Sequence, residues 1–153
     1  MVVREFLEDV EAAAILDATA RGLQFSVVSV PRHVTVHVDR QILASVVANL
    51  LQNAFKFTRP GTTVVLRVDA SIDRVLIEVE DECGGLASGD LNELFRPFEQ
   101  RGVDRTGLGL GLAFSRWGVE QSHGRIYARN LAGKGCVFTV DLPRIAAAAV
   151  ASV

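Results

Sequence analysis

Three polar side chains share one side of a predicted helix in the first half of the chain. Asn49 and Asn53 are four residues apart and Lys56 follows three residues later, so helical spacing places them on one face. Amide oxygens can ligate a hard cation, and a lysine can neutralise phosphate oxygens, so this stripe suits a magnesium-bound polyphosphate. Taken alone, the stripe is more typical of a solvated helix face.

A carboxylate ends a predicted strand directly before a pair of glycines. In the segment VEDECGGL, Asp81 closes the alternating strand pattern, and Gly84 and Gly85 follow it. The carboxylate accepts hydrogen bonds, and adjacent glycines let a flat ring approach the backbone closely. An adenine amino group is a donor of the right kind, although an ordinary acidic turn explains the same pattern equally well.

Glycines alternate with leucines just before a predicted helix in TGLGLGLAFSR. Gly107, Gly109 and Gly111 leave flexible backbone at a helix N-terminus, where free N–H groups and the helix dipole favour phosphate. The pattern is weak by itself. It does not follow a strand, so it does not indicate a dinucleotide-binding fold.

An aromatic pair precedes these glycines. Phe95 and Phe98 lie on either side of Pro97, next to a charged, glycine-containing segment over residues 96–106. This arrangement is typical of a mobile lid that is anchored at one end. Simple core packing of the two phenylalanines explains it as well, and the two explanations are compatible.

The elements that must position these residues follow from the periodicity of the apolar side chains. Leu7, Val10, Ala14 and Ala18 have helical spacing and predict a first helix that stops at Gly22. Next, the pattern predicts strands over 24–30 and 34–39, joined by a turn at Pro31 and Arg32, and then a helix over 40–57 that is N-capped by Asp39. Two further strands are predicted over 62–70 and 74–81. A helix over 110–122 and a hairpin of 124–130 with 135–143 complete the predicted elements.

This order of elements predicts an α+β two-layer sandwich with helices packed on one face of a mixed β-sheet. The segment from Glu82 to Leu110 has no periodicity, and loops of such length are usually functional or disordered. Because it carries the glycine and aromatic clusters, we interpret it as functional. We expect one domain over residues 1–145 and a disordered alanine-rich tail over 146–153.

Composition excludes several classes of protein. The 153 residues are 49% hydrophobic and 22% charged, as in ordinary globular domains. A net charge of −2 gives no general attraction to nucleic acid or anionic lipid. No apolar run is long enough to span a bilayer and no signal peptide is recognisable, so a cytoplasmic location is expected. Cys83 and Cys136 lack metal-ligand spacing, which favours two free thiols over a disulfide or metal pair.

Taken together and in order, these motifs resemble the catalytic, ATP-binding domain of sensor histidine kinases, within the GHKL superfamily that also contains gyrase-type ATPases. NLLQNAFKFT resembles the N box, DECGGL the first glycine box, LFRPFEQ the F box and TGLGLGL the second glycine box. GKGCVFTVDLP resembles the closing glycine box and last strand. The resemblance runs from about Phe25 to Pro143 and implies the Bergerat ATP-binding fold.

The resemblance also implies a role for individual residues. Asn53 would ligate Mg²⁺, with Asn49 close to the phosphates and Lys56 contacting them, while Asp81 would bind the adenine amino group. The resemblance assigns these further residues to the ATP site: Gly85, Leu86, Phe98, Thr106, Gly107, Leu108, Gly109, Leu110, Gly111 and Thr139.

The sequence departs from the family pattern in two places. Cys83 stands where the family usually has a glycine, two residues after the adenine-binding aspartate. Nothing resembles the phospho-acceptor helix, and we interpret His33, His37 and His123 as surface or structural residues rather than the phosphorylated histidine. The acceptor histidine is therefore expected on a separate dimerisation domain that passes the phosphoryl group to a response regulator, and the domain itself is expected to be a monomer.

One position favours phosphoryl transfer over hydrolysis. In gyrase-like relatives a glutamate one helical turn before the Mg²⁺-binding asparagine acts as the base, and here Asn49 occupies that place. An amide cannot accept a proton at neutral pH. The sequence therefore predicts a histidine kinase domain; a nucleotide-binding regulatory module and an ATP hydrolase remain alternatives.

Overall fold

The structure is a computed structural model that describes residues 1–28, 31–85, 94–95 and 110–145. These described residues form three helices and five strands: α1 (Val3–Ala20), β1 (Gln24–Val28), α2 (Arg40–Phe57), β2 (Thr63–Ala70), β3 (Arg74–Glu80), α3 (Leu110–Gln121), β4 (Arg125–Leu131) and β5 (Gly135–Pro143). Within these described ranges, no helix is long and apolar enough to cross a membrane.

The five strands form one mixed sheet in the order β1-β2-β3-β5-β4. β1 pairs with β2 in parallel, and the other three pairings are antiparallel. All three helices pack on one face, because the strands turn their fully buried apolar side chains towards them. On β3 these residues are Val75, Ile77 and Val79, each at most 1% exposed. The predicted two-layer α+β architecture is confirmed.

Most of the predicted elements are also confirmed. α1 ends as expected before Gly22, whose φ of +70° is the left-handed conformation that favours glycine at a helix C-terminus. The hairpin of β4 and β5 turns where predicted, with Lys134 N donating to Leu131 O at 2.9 Å. Local sequence signals were sufficient for these elements.

The strand predicted over 34–39 is wrong. Thr35 and Val36 form only isolated bridges, with Val2 and Arg144 respectively, and β1 pairs with β2 rather than with this segment. The alternation that suggested a strand arises because Val34 and Val36 are each 1% exposed and pack into the core. Alternate burial alone does not place a segment in a sheet, since a segment can bury alternate side chains at the edge of the core.

Candidate functional site

Helix α2 begins at a side-chain cap and carries the polar stripe towards α3. Asp39 Oδ1 accepts a hydrogen bond from Ile42 N at 3.0 Å, which confirms the predicted N-cap. Two turns further on, Asn49 Nδ2 donates to Gly111 O at 3.1 Å and to Ser115 Oγ at 3.3 Å. Because both partners lie in α3, Asn49 fixes the start of α3 against α2.

Asn53 and Lys56 lie on the next turns of α2. Asn53 Nδ2 donates to Asn49 O at 2.9 Å, so the amide nitrogen is bonded within the helix. The amide oxygen is then the atom through which Asn53 can ligate a cation. Lys56 Nζ lies 5.3 Å from the centroid of the Phe57 ring. The end of α2 thus presents an amide oxygen and an ammonium group within one turn of each other.

Asp81 is a buried carboxylate at the end of β3. Its exposed fraction is 4%, and Oδ1 accepts hydrogen bonds from the backbone nitrogens of Cys83 and Cys136, both at 3.1 Å. Burial raises the pKa of Asp81 above its ordinary value; the hydrogen bonds from Cys83 and Cys136 oppose this shift, and the nearby charge of Glu80 adds to it. Asp81 is therefore a fixed acceptor in a poorly solvated place.

Threonine side chains hold the end of α2 against the end of β3. Thr58 Oγ1 accepts a hydrogen bond from Glu82 N at 3.0 Å and lies 2.7 Å from Thr62 Oγ1. The Glu82 side chain in turn accepts from Thr63 N at 3.1 Å. These contacts set the position of Asn53 on α2 relative to Asp81 on β3.

The two glycines after Asp81 lie in close contact with the β4–β5 hairpin. Gly84 and Gly85 have φ values of +93° and +86°, which L side chains rarely adopt. Gly84 N donates to Lys134 O at 2.8 Å, and a Cβ on Gly85 would lie 3.1 Å from Asn130 Oδ1. Cys83 has no positive φ, so the departure from the family pattern at this position causes no backbone strain.

Residues from α2, α3, β5 and the segment directly after β3 line one small cleft. The cavity has a volume of about 20 Å³, and its lining residues are Asn53, Phe57, Asp81, Cys83, Leu112, Cys136 and Phe138. Phe95 packs edge-on against Phe138, with ring centroids 5.9 Å apart. The first phenylalanine of the F-box motif is therefore a core residue behind the cleft.

The structure brings some of the predicted site residues together. Asn53 and Asp81 line the same cleft, and Asn49 contacts Gly111, where an added Cβ would lie 3.6 Å from Asn49 Cγ. Leu110 is the first residue of α3. The predicted lid over residues 96–106 lies outside the described part of the chain. So do these predicted ATP-site residues: Leu86, Phe98, Thr106, Gly107, Leu108 and Gly109.

Thr139 does not fit the predicted role. It alternates along β5 with Phe138, which lines the cleft, so its side chain lies on the opposite face of the sheet. There Thr139 Oγ1 donates to Glu78 Oε2 at 3.2 Å, and Thr139 is 1% exposed. The strand register, rather than the motif, decides this outcome.

Sequence reasoning missed four of the cleft residues: Phe57, Leu112, Cys136 and Phe138. Two of them could have been found, because Cys136 and Phe138 share a face of β5 by simple alternation. The contact of Asn49 with Ser115 had no signal in the sequence, since it joins residues 66 positions apart.

A family model and curated relatives match most of the chain. Residues 38–146 match the family described as "Histidine kinase-, DNA gyrase B-, and HSP90-like ATPase". The sensor histidine kinase ZraS of Salmonella typhi is 35% identical over 131 residues, which are 85% of this chain and 28% of ZraS. The aerobic respiration control sensor protein ArcB of Escherichia coli K12 is 35% identical over 144 residues, 90% of this chain and 18% of ArcB.

Solved structures share the fold. The mycobacterial sensor histidine kinase MprB superposes with a TM-score of 0.83 at 20% identity, over 94% of this chain and 97% of that chain. Full-length ShkA in complex with AMPPNP superposes with a TM-score of 0.82 at 26% identity, over 96% of this chain and 31% of that one. The chain spans between 14% and 28% of the length of the curated relatives ZraS, CikA, KdpD and ArcB.

Proposed function

Because the chain belongs to the family of histidine kinase-, DNA gyrase B- and HSP90-like ATPases, we propose that it binds Mg·ATP in the cleft beside Asn53 and Asp81 and donates the γ-phosphoryl group to a histidine of another domain. The family match and the relatives make the chain an ATP-binding catalytic domain of the sensor histidine kinase type. The residue roles and the phosphotransfer are the proposal.

One observation carries the proposal: Asn53 and Asp81, which lie in different layers of the sandwich, line a single cleft. Asp81 is the proposed acceptor for the adenine amino group, because its Oδ1 is already fixed by two backbone donors and its burial excludes competing water. The two glycines that follow Asp81 have no side chains, so a flat ring can approach the backbone closely there.

The proposed cation site fits the donor set of α2. Mg²⁺ is usually bound by one or two protein oxygens together with substrate phosphates and water, and the amide oxygen of Asn53 can supply one such ligand. When bound, Mg²⁺ would neutralise charge on the phosphate oxygens. Lys56, three residues further along the same helix face, is the proposed second source of positive charge for the phosphates.

Asn49 supports transfer over hydrolysis. Its side-chain amide donates to Gly111 O and Ser115 Oγ, so it links α2 to the first turns of α3. A neutral amide in this position cannot deprotonate water. Positioning and charge neutralisation, which phosphoryl transfer mainly requires, need no such base.

We assign residues 1–145 to one domain in the cytoplasm, followed by an alanine-rich tail. The proposed partner is a dimerisation domain that carries the acceptor histidine and serves a response regulator. Among the described histidines, His33, His37 and His123 are all exposed and none lines the cleft. An acceptor on a separate domain is consistent with this distribution.

Binding of ATP is tested first by calorimetry. We expect Asn53→Ala to weaken Mg·ATP by about 10- to 100-fold or more, because it removes a proposed Mg²⁺ ligand and loss of a group that only supports a ligand already costs this much. Gln52→Ala is the matched control, because Gln52 is exposed and precedes Asn53 by one residue. Equal affinities of the two variants for Mg·ATP would refute the assignment of Asn53.

Transfer is tested by mixing the chain with acceptor domains of related kinases and γ-labelled ATP. Label that appears on an acceptor histidine, and is lost with Asn53→Ala, supports the kinase. Nucleotide binding without transfer to any acceptor would instead indicate a regulatory module, and steady phosphate release by the chain alone would indicate a hydrolase.

A further inference from the structure

Two cysteines and the buried aspartate lie next to one another in the lining of the cleft. One ligand atom each from Asp81, Cys83 and Cys136 lies within 4.8 Å of the other two. Neither cysteine is in a disulfide, and the fold brings them together from positions 53 residues apart in the chain. None of the roles assigned above uses either sulfur.

The spacing of the sulfurs fits a tetrahedral cation. Cys83 Sγ and Cys136 Sγ are 3.8 Å apart. Two Zn–S bonds of about 2.3 Å at the tetrahedral angle separate their sulfurs by about 3.8 Å. A disulfide needs the same atoms at about 2.05 Å, so it would require both side chains to move.

The carboxylate and the sulfurs are also held in place by the backbone. Oδ1 of Asp81 accepts from the nitrogens of Cys83 and Cys136, and Asp81 N donates to Cys136 O at 3.0 Å. Cys136 Sγ additionally lies 3.9 Å from Asn130 Oδ1. A ligand set that is fixed by such hydrogen bonds before the metal arrives needs little reorganisation on binding.

We propose that Asp81, Cys83 and Cys136 form a binding site for one thiophilic divalent cation of the Zn²⁺ class, with the fourth coordination position open to the cleft. Zn²⁺ is commonly bound by three protein ligands and one water in open sites. On binding, the two thiols release two protons to solvent, and the two thiolates and the Asp81 carboxylate then surround the dication. Mg²⁺ is excluded because it prefers oxygen ligands.

The site would couple metal to nucleotide, and this part rests on the proposed function. The Asp81 oxygen that accepts no backbone hydrogen bond cannot be a ligand to the cation and the acceptor for the adenine amino group at the same time. The cation and the nucleotide should therefore compete. Competition gives the chain a response to thiophilic metal that relatives with a glycine in place of Cys83 would lack.

The metal site is tested first without nucleotide. Co²⁺ is titrated anaerobically into the fully reduced chain, since thiolate-bound tetrahedral Co²⁺ gives intense visible and charge-transfer absorption. We expect saturation at one Co²⁺ per chain and loss of the spectrum when Zn²⁺ is added. Cys83→Ser and Cys136→Ser should each abolish the tetrahedral thiolate spectrum, and circular dichroism checks that both variants are folded.

Two results would overturn the metal site. One is a reduced wild-type chain that gives no tetrahedral Co²⁺ spectrum. The other is a spectrum that persists in the Cys83→Ser, Cys136→Ser double variant. If the reduced chain gives no spectrum but forms a Cys83–Cys136 disulfide on mild oxidation, the pair is redox-active and not a metal site.

Competition is tested by ADP binding at buffered free Zn²⁺. At a Zn²⁺ concentration ten times its own Kd, mass action predicts about a tenfold increase in the apparent Kd for ADP. Cys83→Ser is the control, because it retains Asp81 but lacks one metal ligand, and ADP phosphates chelate Zn²⁺ equally in both experiments. Added Zn²⁺ should therefore change the ADP affinity of this variant much less than that of the wild-type chain. If the reduced, metal-free chain binds Co²⁺ but binds neither ATP nor ADP in excess Mg²⁺ without Zn²⁺, the metal site is supported and the proposed function is refuted.

Discussion

Glu80 and Asp81 are consecutive carboxylates that the pleat of β3 directs to opposite faces of the sheet. Glu80 lies on the face without helices, where Lys134 Nζ is 3.1 Å and Arg67 Nη2 is 3.3 Å from its carboxylate. Burial raises the pKa of Glu80, but the hydrogen bonds and charges of Lys134 and Arg67 outweigh this effect and lower it overall. Asp81 faces the helices, and its pKa is raised.

The difference distinguishes a carboxylate in an ion-pair network from the neighbouring carboxylate that is proposed to bind adenine. Glu80 belongs to a network with Arg67, Glu78 and Arg129, whose partly exposed ion pairs each contribute little to stability. Asp81 has no ion pair among the described residues and is held by backbone donors instead. A buried carboxylate without a compensating cation costs stability, which is typical of a residue kept for binding.

The largest effect is expected from a substitution that displaces the backbone around Asp81 and so tests whether this carboxylate is rigidly held. An added Cβ on Gly135 would lie 1.9 Å from Asp81 O, so we expect Gly135→Ala to cost about 3 kcal/mol or more of unfolding free energy. Gly133→Ala is the control. An added Cβ on Gly133 would have no neighbouring atom within 4 Å, so only the φ of +73° disfavours the substitution. It should cost about 1 kcal/mol.

Urea unfolding followed by circular dichroism measures both variants. Similar losses for Gly135→Ala and Gly133→Ala would mean that the close contact between Gly135 and Asp81 relaxes readily. Asp81 would then not be rigidly placed, and the contrast with Glu80 would lose its geometric basis.

The second prediction separates the two faces by nucleotide binding. Asp81→Asn should weaken ADP by roughly 100-fold, since a hydrogen bond to a charged acceptor contributes about 1.5–3 kcal/mol. Tripolyphosphate should bind the variant nearly as well as it binds the wild-type chain, because Asp81 is assigned to adenine alone. Glu80→Gln, one residue away on the other face, should leave ADP affinity unchanged.

Calorimetry with ADP and tripolyphosphate tests this prediction on all three proteins. An equal loss of both ligands with Asp81→Asn would place Asp81 near the phosphates or in a general structural role. A loss of ADP with Glu80→Gln as large as that with Asp81→Asn would remove the distinction between the two faces.

The smallest expected effect concerns the free energy of unfolding, whose pH dependence should have opposite signs for the Asp81 and Glu80 carboxylates. The folded-state pKa of Asp81 lies above its unfolded value, so ionisation costs stability; this cost is full above the folded pKa, decreases as pH falls below it, and is gone below the unfolded pKa. The stability of Asp81→Asn relative to the wild-type chain should therefore be higher at about pH 7 than at about pH 4.

For Glu80 the folded-state pKa is lowered, so its ionised form contributes stability above the unfolded pKa and this is lost as pH falls through the folded one. The wild-type chain should exceed Glu80→Gln by less than about 1 kcal/mol near neutral pH, and the difference should shrink on acidification. Urea titrations over this pH range measure both differences. Slopes of the same sign would contradict the assigned environments.

The sequence by itself determined the features that depend on neighbours along the chain. The Asp39 cap, the stripe of Asn49, Asn53 and Lys56, and the β4–β5 hairpin follow from helical and strand periods and from residues that stop them. The motif order was enough to identify the family, because each motif is local and only its sequence had to be read.

Only the tertiary structure decided which of these local features meet. It excluded the segment around Val34 and Val36 from the sheet, directed Thr139 to the opposite face, and brought Cys83 to Cys136. These outcomes depend on strand pairing and register, which join residues far apart in sequence. A shift of one residue in register would reverse every side chain on a strand, and the periodicity of a single segment does not specify its partner.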